Sequence, residues 1–188
     1  RVATQTDSSG NRTTFAYDTP SSGMTTVTDP LGNSIQHTHQ SQKQLIKHID
    51  QEGNEVSLTY DSNNRRSGLT DRLGDTSSNT YHGGSGKIAT YTDALGNTTT
   101  FTYTAQDQGG LIFYNLIRVD YPNGTFITMT YNNSGNMLSR TDQGGNTWNY
   151  TYNGAGQILT ATNPLGGVMT YTYNSDTTLA TIKDHSNN

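Results

Sequence analysis

The stretch that decides the fold is Thr141-Asp142-Gln143-Gly144-Gly145-Asn146-Thr147-Trp148-Asn149-Tyr150-Thr151-Tyr152-Asn153-Gly154-Ala155-Gly156. From Trp148 to Tyr152 large apolar or aromatic residues alternate with Asn and Thr. That is the pattern of a strand presenting one apolar and one polar face. On either side lie an Asp-x-x-Gly and an Asn-x-x-Gly segment. In such segments the first side chain can bond its own backbone, and glycine supplies a positive φ. The sequence here therefore reads as turn, strand, turn.

Working outward, the same frame recurs about every 21 residues. Its steps are Asp7, Gly10, Tyr17; Asp50, Gly53, Tyr60; Asp71, Gly74, Tyr81; Asp93, Gly96, Tyr103; and Asp142, Gly145, Tyr152. Three copies deviate at one place each: Asp29, Gly32, His39; Asp120, Gly124, Tyr131; and Asn163, Gly166, Tyr173. Asp184 opens a ninth. A repeat this regular makes the chain an array of one small unit, in which each copy packs mainly on its neighbours. We expect a single array over residues 1–188, with copies starting near 7, 29, 50, 71, 93, 120, 142 and 163, and we read it as a piece of a larger protein.

Within a copy, the residues four and two before the tyrosine share its parity: Val56, Leu58, Tyr60; Thr99, Phe101, Tyr103; Ile127, Met129, Tyr131; Met169, Tyr171, Tyr173. A second strand follows, with an apolar anchor five residues before the next repeat at Met24, Leu45, Ile88, Met137, Ile158 and Leu179. Pro30 and Pro164 fall inside the return turn, where they suit a turn and would damage a central strand. No segment holds a helical period. The expected fold is all-β: antiparallel β-hairpin repeats stacked into a long curled ribbon of about sixteen strands, with a buried row of tyrosines and aliphatics and a polar threonine face.

Composition agrees. Hydrophobic residues are 29 % and charged residues only 14 %, with 12 tyrosines. Low charge and in-register aromatics exclude disorder, and the 33 threonines suit a pleated surface. A net charge of −4 argues against a nucleic-acid partner. No apolar run approaches the ~18 residues of a membrane-spanning helix. The chain has no cysteine, which rules out disulfides and thiolate metal sites.

The runs Thr28-Asp29-Pro30-Leu31-Gly32-Asn33, Thr92-Asp93-Ala94-Leu95-Gly96-Asn97 and Asn163-Pro164-Leu165-Gly166, with Tyr60-Asp61, Tyr131-Asn132, Tyr152-Asn153 and Tyr173-Asn174, resemble the YD repeats of Rhs proteins. The resemblance covers essentially the whole chain. It implies a segment of a large secreted or surface-delivered protein, expected to be bacterial, whose repeats form a β-strand spiral. In the toxin members, including the C components of toxin complexes, the spiral is a hollow shell around a variable C-terminal toxin domain. In wall-associated proteins and teneurins it is part of a large extracellular assembly. The implied partners are flanking repeats and a C-terminal domain. The family's shell-closing segment, with its DPxGL-like motif and autoproteolytic aspartates, has no counterpart here. Asp29-Pro30-Leu31-Gly32 sits in an ordinary repeat turn, so no protease residue carries over.

Few residues invite other chemistry. One regular carboxylate per repeat is too few for calcium, which wants six or more oxygens, so the repeated Asp29, Gly32, Asp93, Gly96 and Asp142 are read as turn residues. Gly83-Gly84-Ser85-Gly86 lacks the helix and lysine of a phosphate loop and reads as a hairpin turn. His37 and His39 replace the aromatics of the second copy, with His48 on the next strand. These three are the weak candidates for a metal site, although we expect no metal, cofactor or catalytic residue. The stretch Gln106–Arg118 lengthens one hairpin. Its Leu111-Ile112-Phe113-Tyr114 either packs on a neighbouring turn or forms a docking patch. Two other functional classes stay open. One is a carbohydrate-binding surface using Tyr91 and Tyr121, which lie off the repeat register, and full inaccessibility of the in-register tyrosines would count against it. The other is a fibre that grows at its strand edges.

Overall fold

Each repeat spends its alternating half on one strand and its anchor half on the next, so the chain can only fold back and forth. A computed structural model describes residues 1–185 and shows seventeen strands, with no helix among the described residues. It forms two compact units. The first comprises Arg1–Thr80 with Thr92–Gly96, and the second Tyr81–Tyr91 with the residues from 97 on.

The first unit carries β1 (Thr4–Thr6), β2 (Arg12–Tyr17), β3 (Met24–Thr28), β4 (Ser34–His39), β5 (Leu45–Ile49), β6 (Glu55–Tyr60), β7 (Arg66–Thr70) and β8 (Thr76–Tyr81), the last up to Thr80. Each pairs antiparallel with its sequence neighbour. The second unit carries β9 (Ile88–Thr92) up to Tyr91, β10 (Thr98–Gln108), β11 (Leu111–Asp120), β12 (Phe126–Tyr131), β13 (Met137–Thr141), β14 (Thr147–Tyr152), β15 (Ile158–Thr162), β16 (Val168–Tyr173) and β17 (Leu179–Lys183). From β10 to β17 the pairing is again neighbour to neighbour and antiparallel.

Register puts the two faces where the alternation places them. On one face Trp148 stands opposite Arg140, and Tyr150 opposite Ala161. On the other, hydroxyls pair across strands: Thr130 with Ser139 at 2.6 Å, Thr151 with Thr160 at 2.7 Å, and Thr172 with Thr181 at 2.6 Å. Such cross-strand pairs each contribute a fraction of a kcal/mol, about 0.2–1.

The sealed aromatic row is not observed. Among the described residues only Val119 (4 % exposed) and Met129 (7 %) are buried hydrophobics, and the in-register tyrosines are half-buried. Each unit is one sheet layer, and a single layer covers its side chains only by their neighbours along and across the strands. Alternation tells that residues share a face; it does not tell whether a second layer covers that face.

The lengthened hairpin β10–β11 divides its apolar tip. Phe113 lies over Gly135, where an added Cβ would come within 2.8 Å of its ring, and the Tyr114 ring packs against Gly84 and His82. Leu111 and Ile112 stay exposed. Gln106 and Gln108 donate from the same hairpin to the carbonyls of Asn132 (2.7 Å) and Asn133 (2.8 Å).

Candidate functional site

The repeated tyrosine and the repeated turn are the features with the most geometry to offer. At the tyrosine position the strand register slips by one residue, between Thr59 and Tyr60, Thr102 and Tyr103, Thr130 and Tyr131, Thr151 and Tyr152, and Thr172 and Tyr173. A bulge leaves a residue out of the ladder and bends the strand, and its polar backbone groups then need another partner. The tyrosine of the following copy takes a carbonyl next to the residue left out. The hydroxyl of Tyr60 donates to the carbonyl of Leu45 (2.9 Å), Tyr103 to Ile88 (2.9 Å), Tyr131 to Leu116 (2.9 Å), Tyr152 to Met137 (2.8 Å) and Tyr173 to Ile158 (2.9 Å).

The last three acceptors, Leu116, Met137 and Ile158, are themselves the residues paired with the previous tyrosine. Tyr131 pairs with Met137, whose carbonyl Tyr152 takes; Tyr152 pairs with Ile158, whose carbonyl Tyr173 takes. The second unit is thus stitched copy to copy. Burial pushes the phenols of Tyr103, Tyr131 and Tyr152 above their ordinary value, which keeps these hydroxyls protonated and able to donate.

In the turns the aspartate bonds the backbone that follows it. In the turn at Asp142, the Gly145 N–H donates to the Asp142 carbonyl (3.1 Å), and Asp142 Oδ1 accepts the N–H groups of Gly144 (2.8 Å) and Asn146 (2.9 Å). Asp29 does the same for Leu31 and Asn33, and Asp50 for Glu52 and Asn54. The Asn side chain at the fifth position is the largest cause holding the carboxyls of Asp7, Asp29, Asp50 and Asp142 below their ordinary value. Gly32 (φ 91°), Gly96 (φ 83°) and Gly145 (φ 80°) occupy the left-handed region that the turn requires. The turns after Tyr131 and Tyr152 repeat this geometry: Gly135 donates to Asn132 and Gly156 to Asn153.

The three histidines do come together, on one face of β4 and β5. The His37 ring stacks on His48 with centroids 4.9 Å apart and meets His39 edge-on at 6.4 Å. Among the described residues no group of three or more His, Asp or Glu side chains is arranged to hold a metal ion. Tyr91 is exposed, and Tyr121 lines a shallow cavity of about 340 Å³ with Ile127, Arg140, Asp142 and Gln143. Two features had no sequence signal pointing to them as a set. Leu31, Leu73, Leu95 and Leu165 are 87–95 % exposed at the third position of their turns. Asn79 Oδ1, on the apolar face of β8, is buried without a hydrogen-bond partner.

The geometry is that of a stitched β-hairpin repeat protein. Residues 135–168 match the family model of the RHS repeat. That segment holds one full turn–strand–turn frame, and the same frame runs in register through the other copies. No curated protein sequence matches the chain. Among solved structures it is similar to a Tc holotoxin pore from Photorhabdus luminescens, with a TM-score of 0.57 and 15 % identity over 93 % of this chain and 11 % of that one. A crystal structure of TcdB2-TccC3 matches with a TM-score of 0.39 and 11 % identity over 96 % of this chain and 13 % of that one. The chain therefore spans roughly a tenth of the length of the structures it resembles.

Proposed function

We propose that this chain is a non-catalytic wall segment of a larger extracellular Rhs/YD-repeat protein, forming one continuous array that encloses or displays another domain of its parent. The carrying observation is the tyrosine-to-carbonyl stitch, which repeats one bond from copy to copy where an active site would need a single arrangement. The similarity in fold to a toxin-complex pore supports the same reading. The test is limited proteolysis of the parent protein. The domain that follows the repeats should resist cleavage far longer than the same domain expressed alone. Equal cleavage rates would overturn enclosure.

A second reading, a carbohydrate-binding surface, is favoured by the half-exposed tyrosine face and by the Tyr121–Arg140–Asp142 cavity. Its mark would be glycan-array binding that is lost in Tyr91→Ala or Tyr121→Ala. A chain that binds no glycan would remove it.

A further inference from the structure

The second copy breaks the pattern in one place only. Where other copies carry Phe101 and Tyr103, or Tyr150 and Tyr152, it carries His37 and His39, and β5 adds His48 beside them. We propose that this cluster is an acid-sensitive seam: the β3–β6 region is firmly paired near neutral pH and loosens when the histidines gain protons.

The geometry comes first. His37 faces Thr25 on β3 and His48 on β5, and His48 faces Val56 on β6. Beside the cluster Val27 pairs with Ile35, and Leu58 lies further along the same face of β6. Two imidazoles stacked at 4.9 Å tolerate at most one charge easily, and the third ring lies 6.4 Å from the first. The nearby charged groups are already engaged or lie to one side. Lys47 and Glu55 pair at 2.8 Å, and both belong to the opposite face by register. Asp50 is held by Asn54 and by Arg72 at 3.4 Å in the return turn. His39 borders further charges, in a cavity of about 610 Å³ lined also by Tyr17, Asp18, Arg1 and Lys43. There the Asp18 carboxylate pairs with Arg1 at 2.5 Å, and Lys43 would repel a charged His39.

The electrostatics agree in direction. Burial, then the charges of His48 and His39, hold His37 below its ordinary value near 6.5. The unfolded chain therefore takes up protons before the folded one does. Stability is complete above about pH 6.5 and falls as pH drops toward the folded value. The carboxyls of Asp18, Asp29, Asp50, Glu55 and Asp61 are held below their ordinary values and stay ionised through this window.

The experiment is amide hydrogen exchange on this chain between pH 7.5 and 5.0, corrected for intrinsic chemistry. It compares the wild type with a triple variant that restores the repeat residues: His37→Phe, His39→Tyr and His48→Leu. Protection of β3–β6 in the wild type should fall by roughly fivefold or more on acidification, the factor that corresponds to about 1 kcal/mol, while β13–β16 and the whole variant hold steady. Equal losses in wild type and variant, or losses spread evenly over both regions, would overturn the seam. Should the variant not fold, an NMR titration of the wild-type rings decides. A His37 midpoint below that of the exposed His185 supports the seam, and coincident midpoints refute it.

Discussion

Tyr152 closes β14 with two separate contributions, and substitution can separate them. Its ring lies half-buried on the apolar face, and its hydroxyl satisfies the Met137 carbonyl beside a bulge. Tyr152→Phe removes only the second and should cost about 0.5–1.5 kcal/mol, a lowering of Tm by roughly 2–4 °C per kcal/mol for a chain of this size. Tyr152→Ala removes both and should cost about 2 kcal/mol, below the ~3–5 kcal/mol of a sealed aromatic site. A thermal melt in which the two variants coincide would remove the stitch from this account. At the same residue scale, Asn79 occupies the position that other copies give to Phe15, Leu58, Phe101 or Met129, with its carbonyl oxygen buried and unpartnered. Asn79→Leu should therefore stabilise by about 1 kcal/mol, and an unchanged or lower Tm would count against that reading.

Turns carry the repeat at the scale of elements, and one of them is strained. Thr177 holds φ 70° at the place where Gly135 and Gly156 stand in the neighbouring copies. A β-branched residue there is costly, so Thr177→Gly should raise stability by about 1 kcal/mol, read as a higher midpoint in urea. Charge gives a second handle. The carboxyls of Asp7, Asp29, Asp50 and Asp142 are held low chiefly by the Asn that follows each turn. Their contribution is present above the ordinary value of 3.8 and is lost as pH falls through the folded value. Asn163 makes the same two bonds without a charge, to Leu165 (2.9 Å) and Gly167 (2.8 Å). Replacing all four aspartates by Asn should therefore flatten the loss of stability between pH 5 and 2 followed by circular dichroism, and an unchanged acid transition would contradict it. These turns and strands were legible because Asp, Gly and alternation each mark a backbone state directly. The acceptors at Leu116, Met137 and Ile158 were not, because the accepting group is a main-chain carbonyl that no side chain advertises. The bulge that brings it into reach follows from pairing register, which a single strand's sequence leaves open. Exposure was misjudged for a related reason: Phe101 and Tyr103 declare a common face but carry no record of what lies above it.

For the molecule as a whole, neighbour-only pairing means that length is adjustable only in whole units. From β10 to β17 every strand pairs with the strands beside it in sequence, and each tyrosine reaches back one copy. Stability is then close to a sum of copies and their interfaces. Deleting residues 142–162 removes one copy and joins Thr141 to Asn163, so that the Asn163 turn replaces the Asp142 turn and Tyr173 falls where Tyr152 stood. Its hydroxyl would meet the carbonyl of Met137, and both faces keep their parity. This variant should fold, with strand content per residue unchanged by circular dichroism and a modestly lower Tm. Deleting residues 153–162 instead removes one turn and one strand. Tyr152 then runs directly into the Asn163 turn, β16 must travel opposite to its native direction, and the Ile158 carbonyl that Tyr173 takes is gone. That shorter deletion should aggregate or unfold despite losing fewer residues. If the two deletions behave alike, the copy is not the unit of folding, and the stitch between copies is an accident of geometry.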